Sequence, residues 1–297
     1  MNCTHSQLPA GLQSRLSQSQ VTALAFSPDG TKIAAGGERR IWIYRLDTGT
    51  QFAMLPGHTA RIRALAFAQD NRSLASGCED NTLWLWDTDT AREISLLAGH
   101  AAMIDASAVT PDGMPIPAWD EVLPTFTESP GRVRSLAFAA GSILASGGTD
   151  GKIRVWNLDT GYRLQTLAAH DGLVLALAFS ADGKRLASSS SDTTVRLWDT
   201  ESYELLATLI SHADSVHAVA FSPDGTNLAS GGKDRRLRMW HLPSLSEPRG
   251  SDAAPERANI AVSKLPAQKS AIRALAFTQE GQLMSANHDG TLYFWNA

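Results

Sequence analysis

Histidine, serine, aspartate and tryptophan recur in this chain at fixed offsets. His58, Ser76, Asp80 and Trp86 form one set, His170, Ser188, Asp192 and Trp198 a second, and His212, Ser230, Asp234 and Trp240 a third. Serine, histidine and aspartate are the parts of a hydrolase triad, in which histidine takes a proton from the serine and aspartate orients the imidazole. A nucleophile is needed once, however, and here the set returns at the same distance from an aromatic residue. Repetition of that kind points to a scaffold. No GxSxG, HExxH, Walker loop or dinucleotide fingerprint accompanies it, so no catalytic, cofactor-binding or metal-binding residue is assigned and no cofactor is expected. His5, His241 and His288 stand apart from the repeat without metal-ligand spacing.

The elements that must position these residues are short strands. VTALAF ending at Phe26 returns as IRALAF at Phe67, VRSLAF at Phe138, VLALAF at Phe179, VHAVAF at Phe221 and IRALAF at Phe277. A second marker, an aromatic residue closing an alternating run, falls at Tyr44, Trp86, Trp156, Trp198, Trp240 and Trp295. Between markers the apolar residues alternate with period two, and turn residues such as ADG and SDTT punctuate the runs. Each repeat therefore reads as four short strands. Such a sheet cannot bury both faces alone, so neighbours must stack, and closing the stack into a ring covers every face.

With GH at Gly57-His58 and Gly99-His100, PDG at Pro28, Pro111 and Pro223, and LWD at Leu85 and Leu197, the chain resembles the WD-repeat (WD40) family over essentially its whole length. The resemblance implies an all-β propeller that serves as a rigid platform for protein–protein contacts, usually without catalysis. It also implies a role for the recurring set, as a hydrogen-bonded network inside each blade. Departures are informative. Ser146, Asp150 and Trp156 are kept where Ser129 replaces the histidine, and Ser285, Asp289 and Trp295 where Gln268 does. The first repeat has Ser17, Ala35 and Tyr44 in the equivalent places.

Residues 1–297 are read as one propeller domain. The segment 100–128 has room for two strands and not four, so it is expected to be a shortened blade filling a seventh slot. The alternative is a six-bladed ring from which this hairpin projects. The last repeat ends after its third strand, and residues 11–16 are expected to supply the fourth, tying the head of the chain to its tail. The Pro/Ser/Glu-rich stretch 243–257 is expected to be a flexible loop.

A hydrophobic content of 43% with 19% charged residues is that of a globular protein, and a net charge of −4 argues against wholesale nucleic-acid binding. Cys3 and Cys78 offer no disulfide framework, and no run of apolar residues is long enough for a membrane span, so the expected place is the cytoplasm. The charges are nevertheless distributed by position. One face of the disc is expected to carry Arg39, Arg40, Arg61, Arg63, Arg132, Arg134, His217, Lys233, Arg235, Arg236 and Arg273. The other collects the turn aspartates Asp29, Asp70, Asp112, Asp182 and Asp224. The expected function is a non-catalytic scaffold, monomeric within a larger complex, that docks partner proteins or peptides, acidic or phosphorylated, on the basic face. A nucleic-acid platform and a propeller enzyme are the alternatives.

Overall fold

The computed structural model describes residues 21–97, 131–139, 142–242, 260–278, 280–289 and 291–295. Every element among them is a β-strand. Blade 1 consists of β1 (Ala23–Phe26), β2 (Lys32–Gly36), β3 (Arg40–Arg45) and β4 (Gln51–Pro56). Blade 2 consists of β5 (Ile62–Phe67), β6 (Ser73–Cys78), β7 (Leu83–Asp87) and β8 (Arg92–Leu97), and blade 3 of β9 (Val133–Phe138), β10 (Ile143–Gly148), β11 (Lys152–Asn157) and β12 (Arg163–Ala168). Blade 4 consists of β13 (Val174–Phe179), β14 (Arg185–Ser190), β15 (Thr194–Asp199) and β16 (Leu205–Ile210). Blade 5 holds β17 (Val216–Phe221), β18 (Asn227–Gly232), β19 (Leu237–His241) and β20 (Ala261–Lys264), and blade 6 holds β21 (Ile272–Phe277), β22 (Leu283–Asn287) and β23 (Leu292–Trp295). Each sheet is an antiparallel meander in chain order. The protein is an all-β, six-bladed propeller.

Alternation explains the packing. The second strands of blades 1 to 5 are buried on both sides, as stacking on both faces requires, whereas in blade 6 Met284 and Ala286 are only half-buried. In the blade 1–blade 2 interface, Leu65 and Phe67 of the inner strand β5 pack against Ala34, Ile41, Ile43 and Leu55. The recurrent Leu-Ala-Phe run is thus the apolar surface that each blade offers its predecessor.

The sheets number six among the described residues, matching the second of the two expected blade counts. β5 and β9 pack directly on one another, as do β9 and β13, β13 and β17, and β17 and β21, so no seventh unit separates blades 2 and 3. Gly77 and Val133 mark that contact, since a Cβ on the glycine would lie 2.9 Å from Val133 Cβ. Residues 100–128 themselves lie outside the described residues, as do the expected closing strand 11–16 and the loop 243–257. Between blade 6 and blade 1 no comparable packing joins β21 to β1 among the described residues. Leu292 is 61% exposed there, whereas its equivalents Ile41, Leu83, Ile153, Val195 and Leu237 are 0% exposed. Leu24 and Phe26 on the facing side are exposed as well.

Candidate functional site

In blade 4 the repeated set forms a continuous chain. Trp198 Nε1–H donates to Ser188 Oγ at 2.9 Å, Ser188 Oγ stands 2.8 Å from His170 Nε2, and His170 Nδ1 stands 2.8 Å from Asp192 Oδ2. Tryptophan can only donate, so Ser188 accepts from it and turns its own proton toward His170; the Nδ1 proton then points at Asp192. Blade 5 repeats the distances with Trp240 to Ser230 at 2.8 Å, Ser230 to His212 at 2.8 Å and His212 Nδ1 to Asp234 Oδ2 at 3.0 Å, but there Arg238 Nη1, which can only donate, also stands 2.6 Å from His212 Nδ1. Blade 3 keeps Trp156 to Ser146 at 2.9 Å, with Asp150 paired to Arg154 at 2.8 Å. In blade 6, Gln268 Nε2–H donates to Ser285 Oγ at 3.0 Å, a glutamine filling the histidine's place, and Trp295 donates to the same oxygen at 3.0 Å. Asp289 accepts from Thr291 instead. In blade 1, Ala35 and Tyr44 are buried without such a network among the described residues, and Ser17 lies outside them. The proton order matches that of a hydrolase, yet Ser76, Ser188 and Ser230 are each 0% exposed beneath their tryptophans. No substrate carbonyl can reach them.

Burial, with Arg238 adding to it, outweighs Asp234 and holds His212 down at about 4, against 6.5 for a free histidine. Asp234 stays ionised: burial pushes its carboxyl up, but His212 and the backbone N–H groups of Arg236 and Ala213 hold it below the usual range. Because the folded value lies below the unfolded one, the unfolded chain binds this proton first. The histidine's share of stability is therefore complete above about pH 6.5 and falls as the pH drops toward 4. At 1.36 kcal/mol per pH unit of difference, the loss between pH 7 and pH 5 is on the order of 2 kcal/mol. His212→Gln, which copies the Gln268 arrangement of blade 6, should remove that part of the slope. Urea melts at pH 7 and pH 5 check it; equal slopes in both proteins would contradict the assignment.

The candidate docking surface is built by a different device. Each inner strand after the first carries one extra residue where it pairs with the second strand. The register shifts between Ile62 and Ala64, Val174 and Ala176, Val216 and Ala218, and Ile272 and Ala274, and opposite Arg134 between Gly147 and Gly148. The unpaired residues are Arg63, Arg134, Leu175, His217 and Arg273. A bulge re-aims the side chain that it frees, and here it presents four basic side chains and one leucine on the same rim.

These groups feel one another. Burial first, then the charges of Arg63 and Arg132, push the Arg134 guanidinium below its ordinary value, with Glu79 opposing. Burial and Arg273 lower His217, and Lys233 and Arg134 add to the effect. Arg273 Nη1–H donates to His217 Nδ1 at 3.0 Å, which fixes that imidazole as neutral. The rim is not uniformly free. Arg63 binds Glu79 Oε1 through Nε at 2.7 Å and Nη2 at 2.5 Å, Arg61 lies 3.7 Å from Glu38, and Lys233 lies 3.3 Å from Asp214. Among the described residues no carboxylate lies within 4.0 Å of Arg39, Arg132, Arg134, Arg235, Arg236 or Arg273. Arg40 opens β3 beside the second-to-third turn and is exposed, with Nη1 3.7 Å from Met54 Sδ on the outer strand. In the first blade Thr22 turns its hydroxyl to the Ile62 carbonyl at 2.6 Å.

The sequence profile described as "WD domain, G-beta repeat" matches residues 12–45, 49–87, 121–157, 161–199, 203–241 and 260–296, well over half of the chain. The chain belongs to the WD40 family. Similar proteins share it only locally. The target of rapamycin complex subunit wat1 of Schizosaccharomyces pombe is 37% identical over 79 residues, 25% of this chain and 25% of that protein. The intraflagellar transport protein 122 homolog is 35% identical over 60 residues in Xenopus tropicalis, 20% of this chain and 5% of that protein. The Homo sapiens homolog is 32% identical over 63 residues, 21% and 5%. This WD40 chain therefore spans at most a quarter of the length of these relatives.

Sequence reasoning passed over two features of the WD40 site. Glu79 and Asp214, the acids that pair with the rim, sit in ordinary loop positions, and only the fold reveals which cation each one meets. Arg238 was also missed: at 3% exposed it donates through Nε to Ser211 Oγ at 2.8 Å and through Nη1 to Asp234 at 3.0 Å. Its signal was available, since Arg154, Arg196 and Arg238 occupy one third-strand position, opposite Ser146, Ser188 and Ser230.

Proposed function

We propose that this WD40 protein is a non-catalytic scaffold that docks an acidic or phosphorylated segment of a partner protein on the rim formed by Arg63, Arg132, Arg134, His217 and Arg273. The observation that carries the reading is Arg134. It is half-buried, stands among like charges and meets no carboxylate within 4.0 Å among the described residues. A cation held that way is costly unless an anion completes it. Arginine suits the task because its planar fork grips carboxylate or phosphate at two points. The name of the wat1 relative, a complex subunit, supports a protein partner.

The protein acts as one propeller within a larger assembly, and the cytoplasm is its working place. The free thiol of Cys78 supports that placement. No helix of the described residues is long and apolar enough to cross a membrane.

The test is a pulldown with the full chain, comparing wild type, Arg63→Ala/Arg134→Ala/Arg273→Ala, and Lys184→Ala on the opposite face. Partner recovery should fall at least tenfold in the triple variant and stay unchanged in the control. Undiminished recovery by the triple variant removes the proposal.

A further inference from the structure

Blade 2 departs from its neighbours at two positions that meet in space. Where blades 3, 4 and 5 place Arg154, Arg196 and Arg238 opposite the buried serine, blade 2 places Trp84 opposite Ser76. Where they place Gly148, Ser190 and Gly232 opposite the first residue of the inner strand, it places Cys78 opposite Ile62. The first change removes a cation. Asp150 and Asp234 are paired with their arginines at 2.8 and 3.0 Å. Among the described residues Asp192 has Arg196 on the strand that follows it without an ion pair within 4.0 Å, and no lysine or arginine lies within 4.0 Å of Asp80. The second change brings in a soft ligand, for His58, Cys78 and Asp80 have ligand atoms within 4.8 Å of one another.

The histidine–aspartate spacing has opened as well. His58 Nδ1 stands 3.5 Å from Asp80 Oδ2, against 2.8 and 3.0 Å in blades 4 and 5. Nitrogen and oxygen ligands of a tetrahedral zinc ion, each about 2.0–2.2 Å from the metal, stand ~3.3–3.6 Å apart. Thr82 Oγ1, at 3.2 Å, is now the nearer neighbour of Nδ1 and would give it up to a metal, and the wider gap to Asp80 fits two ligands better than a donor and an acceptor.

The surroundings already hold the ligands as an outer shell would. His58 Nε2 is tied to Ser76 Oγ at 2.7 Å. Asp80 accepts from the Thr59 backbone N–H at 2.9 Å and the Thr82 backbone N–H at 3.0 Å. Trp84 and Trp86 stack at 5.3 Å and both present an edge contact to the imidazole, forming its apolar wall.

We propose that His58 Nδ1, Cys78 Sγ and Asp80 bind a borderline-soft divalent metal ion of the zinc type, with water as the fourth ligand. A nitrogen, sulfur and oxygen set suits zinc or cobalt and not magnesium or calcium. Binding is balanced by one proton: the Cys78 thiol proton leaves to solvent as sulfur takes the metal. The imidazole proton moves from Nδ1 to Nε2, whose bond to Ser76 then runs from ring to hydroxyl. The three ligand atoms must draw together by roughly 1 Å to reach tetrahedral spacing.

The test uses the full chain in a Cys3→Ser background, stripped of metal and titrated with Co2+, then with Zn2+. One equivalent should give the sulfur-to-cobalt charge-transfer band in the near ultraviolet together with strong tetrahedral visible bands, and Zn2+ should abolish both. Cys78→Ser should lose the band, Asp80→Asn should weaken binding at least tenfold, and Trp84→Arg should lose binding altogether. Serine and arginine occupy those two places in blade 4, so the variants stay within what the blade accommodates; circular dichroism and a melt in chelator confirm that they fold. Saturating Zn2+ should also raise the Tm of the parent but not of Cys78→Ser. Absence of the band and of the Tm rise, or binding that survives Trp84→Arg unchanged, overturns the proposal.

Discussion

Replacing Trp198 with alanine lowers the unfolding free energy by about 3–5 kcal/mol, the range for removing a buried large aromatic. The size of the effect follows from the way this residue joins two blades. Its ring packs with Ala145 and Ile153 of blade 3 and with Leu177 and Leu186 of its own blade. Its Nε1–H also satisfies Ser188 Oγ, a group with no exposure to solvent. Trp198→Phe separates the two contributions. It keeps most of the volume but loses the hydrogen bond to a buried hydroxyl and part of the ring, so its cost should be smaller, about 1–3 kcal/mol. Urea unfolding of the three proteins measures both steps. A Trp198→Ala variant within 1 kcal/mol of wild type would show that the blade interface is not packed as described.

Gly77→Ala is expected to cost about 1–3 kcal/mol through overpacking against a stiff neighbour. A Cβ there meets Val133 Cβ at 2.9 Å, and a β-branched side chain on an inner strand has little room to turn. Gly231 faces Ile272 Cγ2 at 2.7 Å and Gly36 faces Ile62 Cγ2 at 2.8 Å in the corresponding places. The three alanine variants should therefore lose stability together. That comparison also tests the blade count. If a shortened blade stood between blades 2 and 3, Gly77 would be separated from Val133, and only Gly231→Ala and Gly36→Ala would be destabilised.

Much of this architecture is legible in the sequence because it is periodic. The Leu-Ala-Phe runs and the closing aromatics place every inner and third strand, and the alternation between them gives the faces. The positions Arg63, Arg134, His217 and Arg273 follow from that alternation. The bulges that present them do not, because one unpaired residue shifts the ladder without disturbing the spacing of the markers. Ion pairing was equally hidden: Arg63 and Glu79 are joined by the shape of a turn. The blade 2 cluster escaped for a related reason. His58 lies in a connection between blades while Cys78 and Asp80 flank a turn, so the three share no metal-binding spacing along the chain. The exposure of Leu24, Phe26, Leu292 and Phe294 is a property of the meeting of blades 6 and 1, which no single repeat encodes.

Function turns on whether the bulged rim, with Arg134 at its centre and no carboxylate within 4.0 Å of it among the described residues, is a receptor for anionic peptide. The most direct measurement is fluorescence anisotropy of a labelled acidic peptide and its phosphoserine-bearing form, titrated with wild type and with Arg63→Ala/Arg134→Ala/Arg273→Ala at two salt concentrations. Wild type should bind saturably and more weakly as salt rises, and the triple variant should show at least a tenfold higher Kd. Equal affinities for the two proteins would contradict a receptor role for the rim.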